Sequence, residues 1–128
     1  MRFLLDTCTF LWATNDSVEL SPRARAIFQD PESYLALSPV SAWEIAVKHG
    51  MGRLPLPEEP AVFVPTRRAV YGIASLPFDE ESALHVQRLP AIHKDPFDRL
   101  LISQAVVHGF TLLTPDPLIV RYGVRTVW

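Results

Sequence analysis

Three short segments carry apolar residues at consecutive rather than alternate positions: RFLL at 2–5, SYLALS at 33–38 and FTLLT at 110–114. A strand with apolar side chains on both faces must be covered on both faces, which is the environment of a central strand in a parallel sheet. Helical patterns stand between these segments. Asp6-Thr7 opens a helical piece ending near Ala13, and Ser21 and Pro22 cap and start a helix running to about Asp30. SAWEIAVKHG reads as a helix with Ser41 as its cap and Gly50 as its stop. Residues 60–71 are helical in pattern, with Pro65 either kinking the element or starting it. GIASLPF and VRTVW add two further strands, Asp79 caps a helix in DEESALHVQRL, and the longest helix spans Pro96 to His108. The expected fold is an α/β three-layer α/β/α sandwich around a parallel sheet of about five strands, with residues 1–128 forming one domain.

Composition narrows the function. The 128 residues are 48% hydrophobic and 20% charged, as in a packed globular chain. Only three apolar residues separate Arg2 from Asp6, too few for a signal peptide or a membrane span, so a cytoplasmic protein is expected. Cys8 is the single cysteine, which excludes an intrachain disulfide and a thiolate zinc site. His49, His85, His93 and His108 show no metal-ligand spacing and read as surface or helix-end residues. The net charge of −2 argues against gripping nucleic acid by bulk positive charge, although ten of the twelve basic residues are arginine, the side chain suited to phosphate.

The acids carry the chemistry. Asp6 follows the first strand, Asp116 follows FTLLT, Glu44 sits in the first turn of the helix after the second strand, and Asp98 lies in the first turn of the long helix. In a right-handed parallel arrangement, helices begin where the preceding strands end, so all four can share one crevice at the carboxyl edge of the sheet. Each has a local explanation: Ser41 and Glu44 form a capping-box pattern, Asp95 caps a helix that has Pro96 first, and Asp6 and Asp116 can cap or turn the chain. None of these explains the convergence. Carboxylates a few ångströms apart repel by about 1 to 4 kcal/mol per pair, and a divalent cation turns that repulsion into coordination. Hard oxygen donors without a Cys or His cluster select Mg²⁺ or Mn²⁺, and such a site suits hydrolysis of phosphodiesters.

LLDTCTFLW, VSAWEIAVKHGMGRL, DPFDRLLISQA and LLTPD, in this order and spacing, resemble the PIN domain as found in VapC-like toxin ribonucleases of prokaryotic type II toxin–antitoxin pairs. The resemblance implies a metal-dependent endoribonuclease that uses Mg²⁺ or Mn²⁺, leaves 5′-phosphate and 3′-hydroxyl ends, forms a homodimer and is restrained by an antitoxin. Carried over by position, it makes Asp6, Glu44, Asp98 and Asp116 the catalytic, metal-holding acids, and it places Thr7 and Thr114 as hydroxyls beside them. Arg53, Arg67, Arg68 and Arg99 are the candidates for phosphate contact, and Arg99 is also placed to pair with an acid. Two alternatives stand beside this. An aspartate-nucleophile phosphatase also places an acid after its first strand, but usually a second two residues on, where this chain has Cys8. A non-catalytic PIN-like module binding RNA or protein has no need of all four acids.

Overall fold

A computed structural model describes residues 1–128. Its five strands form one sheet in the order β3-β2-β1-β4-β5, every neighbouring pair parallel. The strands are β1 (Arg2–Leu5), β2 (Tyr34–Leu37), β3 (Ala74–Ser75), β4 (Thr111–Leu113) and β5 (Thr126–Val127). Seven helices surround them: α1 (Thr7–Thr14), α2 (Pro22–Gln29), α3 (Pro39–Gly50), α4 (Pro60–Tyr71), α5 (Glu80–His85), α6 (Pro96–His108) and α7 (Pro117–Val120). A 3₁₀ turn, Val86–Arg88, extends α5. No helix is long and apolar enough to cross a membrane.

The consecutive apolar residues divide between two cores because successive strand side chains point to opposite faces. Phe3, Leu5, Leu35, Leu37 and Leu113 join Phe10, Ile45 and Phe63 on one face. Leu4, Ala36 and Leu112 join Leu101, Ile102, Ala105 and Ile119 on the other. The three-layer sandwich expected from the sequence is the fold observed.

Several boundaries differ from the sequence reading. The helix α3 begins at Pro39 with Ser38 as cap, its hydroxyl accepting from the Val40 N–H at 3.1 Å, so Ser41 is an interior residue and the capping box with Glu44 does not form. Ser38-Pro39 repeats the Ser21-Pro22 pattern, and proline preset for the first helical position fixes the start three residues earlier. Pro65 lies inside α4, which starts at Pro60. The outer strands β3 and β5 are only two residues long.

The strand order places the site. From β1 the chain moves to β2 and β3 on one side, then returns to place β4 on the other side of β1. The carboxyl ends of β1 and β4 therefore flank the point where the connections diverge, where α/β sheets open a crevice.

Candidate functional site

Asp6 leaves the end of β1 and caps α1. Its Oδ1 accepts from the Thr9 N–H at 2.8 Å and its Oδ2 from the Thr114 hydroxyl at 2.5 Å. Thr114, just past β4, in turn accepts from the Asp116 N–H at 3.1 Å. Asp116 caps α7, with Oδ1 accepting from the Leu118 N–H at 2.8 Å. The two strand ends are thus tied to each other through the Asp6–Thr114 contact.

Glu44 is the sixth residue of α3, not a member of its first turn, and it is buried. Its Oε1 accepts from the Thr7 hydroxyl at 2.6 Å, and its Oε2 pairs with Lys48 one turn on. Thr7 also lies 3.0 Å from the Ser41 hydroxyl, the task Ser41 performs in place of capping. Asp98 enters from α6. Trp43 and Phe97, the residues preceding Glu44 and Asp98, pack edge to face at 5.0 Å and hold α3 against α6.

Asp6, Glu44, Lys48, Asp95, Asp98 and Asp116 thereby line one cleft of about 250 Å³. A larger groove of about 360 Å³ between α3 and α4, walled by Ala42, Val64, Pro65 and Arg68, is lined by no acid.

The four acids differ in how they are held. Asp6, Glu44 and Asp116 have both oxygens engaged by donors, counting the His93 ring at Asp116 Oδ2. Asp98 accepts from no backbone N–H or hydroxyl; its Oδ2 lies 3.0 Å from His93 Nε2, and its side chain is only 17% exposed. Burial, then the charges of Asp95 and Glu44, push it up to about 7, with His93 acting in the opposite direction and Asp6 adding to the rise. Burial also raises Asp6, offset in part by hydrogen bonds from Thr114 and Thr9 and reinforced by the Asp116 charge. The hydrogen bond to Glu44 holds the Lys48 ammonium above its usual range. Burial and the charges of Asp6, Glu44 and Asp98 push the Cys8 thiol up to about 11, so it supplies no thiolate near neutral pH.

A PIN domain sequence model matches residues 3–124. The chain belongs to the PIN domain family. It is 43% identical to Ribonuclease VapC16 of Mycobacterium tuberculosis (strain ATCC 25618 / H37Rv) over 61 residues, 48% of this chain and 43% of that protein, so the match spans less than half of the relative. Its fold is similar to VapBC2 from Rickettsia felis, solved with a promoter DNA fragment (TM-score 0.73, 15% identity, 99% of this chain and 98% of that one). It is similar also to DNA-bound VapBC from Salmonella typhimurium (TM-score 0.71, 20% identity, 99% and 97%).

Within this PIN fold the four expected acids and Thr7 meet at the cleft and Thr114 stands behind them, bonded to Asp6, but the arginines do not line it. Arg99 pairs with no acid; it donates to Val86 O, Pro90 O and the Tyr122 hydroxyl at 2.8–3.2 Å, bracing the segment before α6. Arg67 lies over the Phe63 ring and reaches Thr14 O. The basic side chain lining the cleft is Lys48, legible in the sequence as the i,i+4 partner of Glu44.

His93 corrects the reading of the histidines. His49, His85 and His108 do occupy last helical turns. The His93 ring is instead 13% exposed, with Nε2 at 3.0 Å from Oδ2 of both Asp98 and Asp116. The three side chains form a group whose donor atoms all lie within 4.8 Å of one another.

Asp95 is the cap of α6, with Oδ1 accepting from the Phe97 and Asp98 N–H groups at 2.9 and 3.4 Å. Asp95→Ala is expected to lower stability by about 0.5 to 2 kcal/mol, the usual loss for a helix cap, while cation binding in the cleft is largely kept. Denaturant midpoints and cation titration of this variant check both halves.

Proposed function

We propose that the chain is a Mg²⁺- or Mn²⁺-dependent endoribonuclease, the toxin of a toxin–antitoxin pair, that hydrolyses RNA phosphodiester bonds in this cleft. The observation that carries the reading is the convergence of four acids from separate elements on one cleft, with Asp98 half-buried among them and only the His93 ring, 3.0 Å from its Oδ2, beside its carboxylate; a cation satisfies such a group. The donor set fits. The acids offer hard oxygens, no second thiol exists, and the geometry gathers acids from β1, α3, α6 and the end of β4.

In this reading Asp6, Asp98 and Asp116 hold the principal ion, and Glu44 orients the attacking water or shares a second ion. A bound divalent cation supplies a polarised phosphate oxygen and a more acidic water. The protein's own share is preorganisation. Thr114 and the Thr9 N–H fix the Asp6 carboxylate, and Thr7 and Lys48 fix that of Glu44, so neither has to reorient as charge develops on the phosphate. Lys48, 43% exposed at its side chain, stands at the cleft where an anionic RNA backbone enters. Arg99 acts at one remove, as a brace.

The partial identity to a protein named a ribonuclease supports the activity, and the likeness in fold to VapBC assemblies supports an antitoxin as partner. On the same reading residues 1–128 are one nuclease domain, working in the cytoplasm as a homodimer. The test is cleavage of single-stranded RNA by the purified chain, read on a denaturing gel. Cleavage requires added Mg²⁺ or Mn²⁺, stops in excess EDTA and returns when the cation is restored; undiminished cleavage in EDTA overturns the proposal.

A further inference from the structure

His93 stands in the segment between the 3₁₀ turn and α6, and two sets of hydrogen bonds hold it. Its backbone N–H donates to the Tyr122 hydroxyl at 2.7 Å, which also accepts from Arg99 Nη1 at 3.1 Å. Arg99 ties the same segment through Val86 O and Pro90 O. The ring is fixed separately, because the Asp95 N–H donates to Nδ1 at 3.2 Å. A backbone donor needs the Nδ1 lone pair, so the proton of the neutral imidazole sits on Nε2. Nε2 lies 3.0 Å from Asp116 Oδ2 with hydrogen-bond geometry, and 3.0 Å from Asp98 Oδ2.

A histidine that ligates a metal has the reverse arrangement, giving a lone pair to the ion and donating its other N–H to a carbonyl or carboxylate. We propose that His93 is a positioning residue rather than a ligand: held as an Nε2–H donor, it fixes Asp116 beside Asp98 so that the two carboxylates face a cation together. The proposal rests on the reading of the cleft as a divalent-cation site. Asp116 needs such a device. Its backbone is set by the four-residue α7, its Oδ1 is spent on the Leu118 N–H, and its side chain is 27% exposed. Without His93, repulsion from Asp98 turns its Oδ2 outward.

The test titrates Mg²⁺ and Mn²⁺ separately into the full chain by calorimetry, for wild type, His93→Ala and His93→Gln. His93→Ala is expected to weaken both cations about tenfold and by the same factor, the low end of the usual loss for a residue that orients a ligand. In His93→Gln the amide N–H reaches the place of Nε2–H and recovers most of the affinity. Long-range ¹H–¹⁵N correlation spectra of the cation-free wild type, which need no variant to fold, are expected to show His93 protonated at Nε2. Three results overturn the proposal. These are loss of Mn²⁺ affinity with Mg²⁺ affinity kept, which makes the imidazole a ligand; unchanged or tighter binding of both cations by His93→Ala; or a proton on Nδ1. If the wild type binds neither cation, the cation reading of the cleft falls together with the proposal, whereas equal binding by wild type and His93→Ala removes the proposal alone.

Discussion

Asp98→Asn is expected to abolish cation-dependent RNA cleavage, by about 100-fold or more, while making the cation-free protein more stable near pH 8. Both effects have one cause. Asp98 is half-buried beside Asp95, Glu44 and Asp6, and burial and these charges outweigh the neighbouring His93 ring and raise it from 3.8 to about 7. A carboxyl raised in the folded state contributes its full stability below about pH 4, where it is protonated folded and unfolded alike. That contribution is lost as pH rises through about 7. At about 1.4 kcal/mol per pH unit the upper bound is roughly 4 kcal/mol. Solvent at the cleft mouth and movement of neighbouring side chains reduce it, so a gain of about 1 to 2 kcal/mol for Asp98→Asn at pH 8 is expected. At pH 4.5 the gain should fall to about a quarter of this, because folded Asp98 is already neutral there and only the unfolded chain's carboxyl is still largely ionised. Urea midpoints in EDTA at the two pH values measure this directly. A variant that is inactive but no more stable at pH 8 would mean that the charge is already compensated by the protein.

The separation of Asp95 from Asp98 was legible in the sequence because local rules settle it. Proline at the first helical position makes the preceding residue the cap, and the spacing to Leu101, Ile102 and Ala105 turns Asp98 toward the sheet. The three central strands were legible for the same kind of reason, since consecutive apolar residues leave only one environment. The edge strands are shorter than their apolar runs because an edge strand needs fewer ladder partners and GIASLPF departs from the sheet after two residues. Two cap signals overlap within Ser38–Glu44, and the proline decides for Ser38 over Ser41. His93 was out of reach. Its place depends on Tyr122, which lies 29 residues away in sequence, and on a loop conformation with no periodic signature. Arg99 stands beside Asp98 in sequence, but its partners are two carbonyls and a tyrosine hydroxyl, whose positions only the folded chain fixes.

Cation binding itself is expected to be the largest stabilising effect available to this fold. At 100 times its dissociation constant a ligand that binds only the folded chain adds about 2.7 kcal/mol, which for a domain of this size raises the melting temperature by roughly 10 °C. The pH dependence of that effect identifies the groups responsible. Protons compete with the ion at Asp98, whose carboxyl titrates near 7, so the affinity for Mn²⁺ should tighten roughly tenfold between pH 6 and pH 8 and level off above. Asp98→Asn should bind more weakly and lose most of the pH dependence. Asp6→Asn should also bind weakly yet keep its fold, because asparagine Oδ1 can still cap α1 at the Thr9 N–H and the Thr114 hydroxyl can turn to accept from the amide. Melting curves with and without millimolar Mn²⁺ across this pH range compare the three proteins. If Mn²⁺ leaves the wild-type melting temperature unchanged while Asp98→Asn raises it, the cluster repels itself without holding an ion, and Asp98 would then be a source of strain rather than a ligand.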